Sequence, residues 1–420
     1  MLVGVTFENY MSFYNQAQFA LTVDSTEERY KDINTFKTPY GRLLKNALVY
    51  GANGSGKSNF VDALNFIKTA LTISFEAQSK LFAVKNQFRF NTEAGDRAKY
   101  FSVTFIIDEV MYDYSFSVKH GKVLHECLDK KVKRTESNVF KRLSSDFSSI
   151  EINGREFENV KQFIPNTRED VLFLSLASFM NNDTAKKICK WFEKIKVFTV
   201  TDIAGSMPES VKYIQKNEEN KKQIIEYLKG AGIEASGLDL DQKAIDEYKK
   251  VLGIITDKEI NEQIEDIFNV NELGLVVDRN VYNSKWEYAH TIKMKMQDES
   301  SGTQKFFRVA GPILDVINNG GVAVIDEIDS KLHPALVKYL VMTFNSISKN
   351  PNNAQLICTT HNINLLEEKI RRDQIYFINK NEFGVSDIYC LNEFEGVKKN
   401  SKILKQYLLG AFGALPTIEE

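Results

Sequence analysis

The stretch Leu48-Val49-Tyr50-Gly51-Ala52-Asn53-Gly54-Ser55-Gly56-Lys57-Ser58 constrains this chain more than any other. An apolar strand runs into a glycine-rich turn that closes on Lys and Ser, matching G-x-x-x-x-G-K-[ST] without a mismatch. Glycines let successive backbone N–H groups turn inward with no Cβ in the way. Lys57 is placed to reach the outer phosphates of a bound polyphosphate, and Ser58 to offer its hydroxyl to Mg²⁺. Residues 60–70 read as the helix that follows, with its N-terminus facing the phosphates. Gly51, Asn53, Gly54, Ser55, Gly56, Lys57, Ser58 and Asn59 are therefore the candidate phosphate-binding set. The bland alternative is a glycine turn between unrelated elements, which the strand before and the helix after argue against.

The 420 residues suffice for one large core or two ordinary ones. A formal charge of -2 excludes a global positive field for nucleic acid, though not local patches. Cys127, Cys189, Cys358 and Cys390 lie far apart and form no C-x-x-C pair, so they read as reduced thiols of a cytoplasmic protein. The five His show no metal spacing. Neither a signal peptide nor a membrane span is expected, and no membrane partner.

Along the chain, alternation predicts strands over residues 2–8 and 17–23, a loop over 24–37, then the phosphate-binding unit. Strands follow over 100–107, 111–118 and 122–128, the first two joined by a turn at Asp108-Glu109. Strands in a row without a helix between them predict an antiparallel sheet. Residues 130–169 read as polar and mixed, with a short strand at 150–152. Helical patterns cover 184–195, 208–228, 239–251 and 259–268, so residues 181–270 read as a Lys- and Glu-rich helical insertion. Glycines interrupt it and leave no long heptad run. Strands return over 275–277 and 286–296, and helix and strand then alternate to a helix over 397–409.

Further motifs carry chemistry. Gly321-Val322-Ala323-Val324-Ile325-Asp326-Glu327 is an apolar strand delivering two carboxylates at its C-terminal end, where an open α/β sheet binds ligands. Asp326 suits a Mg²⁺ ion, and Glu327 suits polarising a water in line with a terminal phosphate. The alternative is an exposed acidic turn. Leu356-Ile357-Cys358-Thr359-Thr360-His361 repeats the design; His361 alone reads as a surface residue, and in company as a group facing the terminal phosphate. Asp298-Glu299-Ser300-Ser301-Gly302-Thr303-Gln304 reads as a serine-capped helix start, a weak signal by itself.

Taken in order, residues 51–58, 299–304, Asp326-Glu327 and Thr360-His361 resemble the landmarks of ABC-type ATPases, in particular the SMC-like and RecF-like branch. The run from Asp326 to Pro334, and the tail Tyr407-Leu408-Leu409-Gly410-Ala411-Phe412-Gly413-Ala414-Leu415-Pro416, are similar to AAA15 and OLD-type ATPases of the AbiL/RloA kind. The resemblance implies an α/β fold: an ABC-type P-loop NTPase head with an antiparallel β subdomain and an inserted helical region. Residues 1–180 and 271–420 would be the two parts of that head, and 181–270 the insertion. It implies ATP and Mg²⁺ as ligands, Lys57 and Ser58 in the Walker A roles, Asp326 as Walker B metal ligand, Glu327 as base and His361 as switch histidine. Gln87 is the candidate for the glutamine that reaches the metal, against a plain polar loop residue. Ser300 and Gly302 fall on the signature motif, which contacts ATP bound to a second copy and so implies a head-to-head homodimer. Two departures stand out: the signature reads Glu-Ser-Ser-Gly-Thr, and His333 occupies the position usually held by the D-loop Asp.

The function this implies is an ATP-hydrolysing switch that controls a nuclease or other effector encoded nearby, in bacterial phage defence. A RecF-like DNA-binding repair ATPase, and a non-catalytic ATP-dependent scaffold, are the alternatives. A transporter subunit is disfavoured by the long middle region. Tyr10, Phe13 and Tyr14 read as core aromatics or as groups near a base, and Lys398, Lys399, Lys402 and Lys405 as a solvated face or a nucleic-acid contact. Glu109, Glu126 and Asp129 lie near strands without forming a nuclease centre.

Overall fold

The computed structural model describes residues 1–75, 81–199, 207–241, 243, 274–395, 397 and 402–415. These fall into two compact units: residues 1–197, 319–328 and 341–420 form the first, and residues 198–318 and 329–340 the second. In chain order the strands are β1 (Leu2–Glu8), β2 (Ala17–Ala20), β3 (Thr35–Thr38), β4 (Gly41–Leu44), β5 (Asn46–Tyr50), β6 (Lys99–Ile107), β7 (Val110–Lys119), β8 (Lys122–Val132), β9 (Thr135–Arg142), β10 (Ile150–Ile152), β11 (Lys196–Phe198), β12 (Gly237–Leu240), β13 (Leu275–Tyr282), β14 (Tyr288–Lys295), β15 (Val322–Ile325), β16 (Gln355–Thr359), β17 (Ile375–Lys380) and β18 (Ser386–Cys390).

The first unit holds two large sheets. One has the order β11-β15-β16-β5-β17-β18, and β15, β16, β5 and β17 run parallel. Every residue of β5, β15 and β16 is buried, the continuous apolar pattern of strands covered on both faces. The other is antiparallel, in the order β10-β9-β8-β7-β6-β1-β2. Its strands alternate, so Phe101, Val103 and Phe105 of β6 point inward together with Tyr114 and Phe116 of β7. The helix Lys57–Ile73 buries Phe60, Val61, Leu64, Ile67 and Leu71, a stripe at helical spacing. It shares one core with both sheets: Phe60 packs on Phe19, and Phe66 on Phe101.

Glu126 of β8 is fully buried and faces Arg142 of β9 in register. It accepts the backbone N–H groups of Phe173 and Leu174, at 2.7 and 2.9 Å, and the Tyr114 hydroxyl at 2.8 Å. Burial pushes its carboxyl up against the pull of those donors and of Arg142. It thereby fixes the start of the helix Phe173–Phe179, a structural use.

The second unit carries the sheet β12-β13-β14 and the helices Met207–Lys216, Glu218–Gly230 and, all but its last residue, Ser301–Asn319. Pro312 lies inside the last helix and leaves the Arg308 carbonyl without its usual donor. The Ser210 hydroxyl sits 2.8 Å from that carbonyl and from the Phe307 carbonyl. Tyr227 stacks on Phe306 at 5.2 Å.

The strands expected over 2–8, 100–107 and 111–118 are present, and Asp108 and Glu109 both adopt left-handed φ in the turn between the last two. Several elements depart from the expectation. The loop expected over 24–37 contains a short helix, Lys31–Asn34, and β3. The polar β9 and β18 were not expected from alternation; partner strands define them. The helix expected over 208–228 is two, divided at Asn217, whose side chain caps the second. Residues 237–240 form β12 because β13 supplies a partner. The rest of the helix expected over 239–251, except residues 241 and 243, and the helix expected over 259–268 lie outside the described residues, as do Lys398 and Lys399. No described helix is long and apolar enough to cross a membrane.

Candidate functional site

The phosphate loop follows β5, at the C-terminal edge of the parallel sheet. Asp326-Glu327 follows β15, and Thr360-His361 follows β16, which lies between them. Three chain ends thus deliver their polar groups to one edge, as parallel order requires.

The loop is shaped for close approach of a ligand. Gly54 and Gly56 adopt φ of +75° and +116°. A Cβ at Gly51 would lie 2.5 Å from the Ile378 carbonyl oxygen, and one at Gly56 2.5 Å from the Ser386 hydroxyl. The N-cap position of the helix Lys57–Ile73 is Gly56, which brings no capping side chain, and this positive end of the helix dipole suits an anion. Among the described residues the buried Ser55 hydroxyl has no hydrogen-bond partner. Lys57 Nζ donates to the carbonyls of Gly51 at 2.8 Å and Ala52 at 3.0 Å, lying across its own loop. This loop fits an anionic phosphate chain: donors, a buried cation and no carboxylate.

A hydroxyl chain holds the loop from behind. Ser386 Oγ lies 2.5 Å from the Ser55 carbonyl oxygen and 2.7 Å from Ser12 Oγ, and Asn59 Nδ2 donates to Ser12 Oγ at 2.7 Å. A carbonyl only accepts, so the Ser386 proton goes to Ser55 and Ser12 donates to Ser386. Ser12 and Ser386 are buried, and neither was singled out in the sequence. Both sit in short polar stretches that periodicity does not distinguish from a loop.

The acidic pair is equally fixed. Asp326 is 3% exposed, and its Oδ1 accepts the Thr359 hydroxyl at 2.6 Å. Thr359 Oγ1 in turn accepts the Glu327 backbone N–H at 2.7 Å. Glu327 has φ of +45°, a conformation that costs a non-glycine residue free energy and that the Thr359 contact holds in place.

An open pocket of about 340 Å³ brings together Asn53, Gly54, Gly56, Lys57, Ser58, Asn59, Glu327 and Lys380. A second, of about 550 Å³, meets the loop along residues 51–55 and is lined also by His361, Asn379, Lys380 and Tyr407. Lys380 borders both, a cation that no sequence motif marked. Gln87 is elsewhere: it lines a separate pocket with Lys85, Arg97 and Lys99. Tyr10 and Phe13 are buried in the core, and Tyr14 lies under the Arg97 guanidinium at 4.2 Å. Among the described residues no group of three or more His, Cys, Asp or Glu is arranged to hold a metal. Ser58 and Asp326 remain the side chains suited to Mg²⁺, an ion that ordinarily uses few protein ligands beside phosphate oxygens and water.

Ser300 and Gly302 belong to the second unit. Ser300 Oγ accepts the Thr303 N–H at 3.1 Å, capping the helix Ser301–Asn319. Arg279 grips the Glu299 carboxylate in a two-pronged ion pair, and Gln304 folds back onto the Gln297 and Glu299 carbonyls. A Cβ at Gly302 would come no nearer than 3.6 Å to any atom, so nothing in its own unit demands glycine there. His333 accepts the Ala335 N–H on Nδ1 at 3.2 Å, at the start of the helix Pro334–Asn345.

A family model described as "AAA domain, putative AbiEii toxin, Type IV TA system" matches residues 47–367, well over half of the chain. The chain belongs to this AAA-domain family. The matched span runs from β5 and the phosphate loop through the acidic pair to His361, so the family assignment and the sheet-edge geometry refer to the same residues. The protein therefore carries an ATP-binding, P-loop ATPase-type AAA domain on a mixed α/β scaffold. Among curated proteins no sequence matches it.

Proposed function

We propose that this AAA-domain protein is an ATP-hydrolysing switch, and that Lys57, Ser58, Asp326, Glu327 and His361 perform the hydrolysis. The observation that carries this reading is the common pocket of Lys57, Ser58 and Glu327, with Asp326 tied to Glu327 through Thr359. In the proposed reaction the loop N–H groups and Lys57 bind the phosphate chain. Ser58 and Asp326 would hold Mg²⁺, which when bound offsets charge on the outer phosphates. Glu327 accepts a proton from the attacking water, and His361 orients the far side of the terminal phosphate.

The second half of the proposal is dimerisation. Ser300 and Gly302 of one copy would close on the nucleotide of another, giving a head-to-head homodimer that opens on hydrolysis. The unhindered Gly302 supports this, since a ligand can approach its backbone. The family description, with its toxin–antitoxin association, supports a toxin–antitoxin or abortive-infection role; cytoplasmic phage defence through an effector such as a nuclease is the finer part of the proposal. The closer AAA15 and AbiL/RloA affiliation belongs to the same proposal.

Phosphate release from ATP with Mg²⁺, together with the mass in solution with and without ATP, tests it. Glu327→Gln should cut turnover at least a hundredfold while ATP binding and an ATP-dependent dimer persist. Unchanged turnover in Glu327→Gln would remove Glu327 as base, and an ATP-independent monomer mass would remove the composite site.

A further inference from the structure

The last residue of β17 is a lysine that folding leaves unused. Parallel pairing sets Leu48, Val49 and Tyr50 of β5 beside Ile375, Tyr376 and Phe377 of β17. Beyond that point β5 opens into the phosphate loop, while β17 continues alongside it as Ile378, Asn379 and Lys380. The two stay close, since a Cβ at Gly51 would lie 2.5 Å from the Ile378 carbonyl oxygen. Lys380 is directly opposed by Ser386 in the antiparallel β17–β18 register, so the two side chains leave the same face of the sheet. On that face Ser386 reaches the loop, donating to the Ser55 carbonyl. Lys380 leaves in the same direction. The turn after it is tied down: Asn381 N donates to the Val385 carbonyl, and Asn381 Oδ1 accepts the N–H groups of Phe383 and Val385, all at 3.0 Å.

Lys380 is exposed, and among the described residues no hydrogen bond or ion pair engages its ammonium. Lys57, by contrast, is bound to its own loop carbonyls. Lys380 lines both pockets that meet the loop, one with Glu327 and the other with His361. Among the described residues Glu327 is the one carboxylate in either lining. We propose that Lys380 is a second phosphate-binding lysine, which the β17–β18 hairpin holds beside the loop to donate to the terminal phosphate of bound ATP. An ammonium is a compact charge with three donors on a flexible stem, suited to meeting a phosphate without fixed geometry. Lys380 shares its pockets with the two residues assigned to the attacking water and to the terminal phosphate, so its contact falls at that end of the chain and is lost when the phosphate leaves. Its role rests on the reading of the loop as an ATP site.

Isothermal titration calorimetry of the full chain with Mg²⁺ and either ADP or the β,γ-imido analogue of ATP tests this without turnover. Lys380→Met should weaken the analogue about tenfold, as loss of a hydrogen bond between charged groups does, and should change ADP affinity little. Lys380→Arg should keep the analogue tightly bound. Because Lys380 is exposed, neither substitution should move the melting temperature without nucleotide. Analogue affinity unchanged in Lys380→Met, or an equal loss for the analogue and ADP, would overturn the role of Lys380 and leave the ATP site standing. A wild-type chain that binds neither nucleotide would instead remove the ATP reading, and the role of Lys380 with it.

Discussion

Thr359 donates its hydroxyl proton to the Asp326 carboxylate, 2.6 Å away, and the same oxygen accepts the Glu327 N–H. One side chain on β16 thus holds the Asp326 carboxylate and the Glu327 backbone, at the two acidic residues that follow β15. Thr359→Val keeps the shape but removes the donor and strands a backbone N–H. Turnover should fall roughly 10–100-fold, as when a partner of a metal-binding side chain is removed. The Mg²⁺ concentration needed for half-maximal rate should rise, and Thr359→Ser should restore both. A Mg²⁺ requirement that does not move, with only thermal stability lowered, would reduce Thr359 to a packing residue.

Lys57 is buried, and its ammonium is satisfied by its own loop carbonyls. Lys57→Met therefore removes a cation whose partners are carbonyls that water can reach from the pocket. The melting temperature without nucleotide should stay within a few degrees of wild type. The upward shift produced by saturating ATP and Mg²⁺, several degrees when ligand far exceeds its dissociation constant, should vanish. A persisting shift would mean that nucleotide binds without the lysine.

How much of this was legible in the sequence depends on which force defines each element. Residues 48–58 announce themselves because phosphate binding demands glycine, lysine and hydroxyl at fixed spacing. The buried parallel strands announce themselves because burial on both faces demands an apolar run. The Ser12–Ser386 contact joins positions more than three hundred residues apart, and nothing local encodes it. β9 and β18 are polar enough to pass for loops, and exist because β8 and β17 offer unpaired edges. Asp326-Glu327 could be placed at a strand end from sequence. That Thr359, rather than a neighbouring residue, bridges them is a matter of register between β15 and β16.

Gly56 combines φ of +116° with a Cβ direction that meets Ser386 Oγ at 2.5 Å and Ser12 Oγ at 2.7 Å. Gly56→Ala must therefore adopt a poor backbone conformation and also push the hydroxyl chain that holds the Ser55 carbonyl. The expected loss of stability is on the order of 2 kcal/mol, the sum of backbone strain and overpacking, read from urea unfolding. Combining it with Ser386→Gly relieves that contact but leaves the one with Ser12 Oγ and the backbone strain, so the double variant should recover only part of the loss. A loss in the double variant equal to the sum of the two single losses would show that Ser386 does not buttress residue 56.

The last prediction concerns acid. Glu27 has a fully buried side chain, and Arg29 and Arg372 both donate to its carboxylate. Burial pushes its carboxyl up, but the hydrogen bonds from Arg29 and Arg372 and the Arg29 charge outweigh that and hold it at about 2. A carboxyl depressed on folding binds its proton more readily in the unfolded chain. Its contribution, on the order of 3 kcal/mol, is therefore fully present above its ordinary value of 4.5 and is lost as pH falls toward 2. Removing the carboxylate leaves two guanidinium groups without that acceptor, so Glu27→Gln should be less stable than wild type at neutral pH. The difference between the two proteins should shrink steadily below about pH 4.5. Urea unfolding at a series of pH values measures it, and a difference that stays constant down to the acid limit would show that Glu27 does not titrate with the fold.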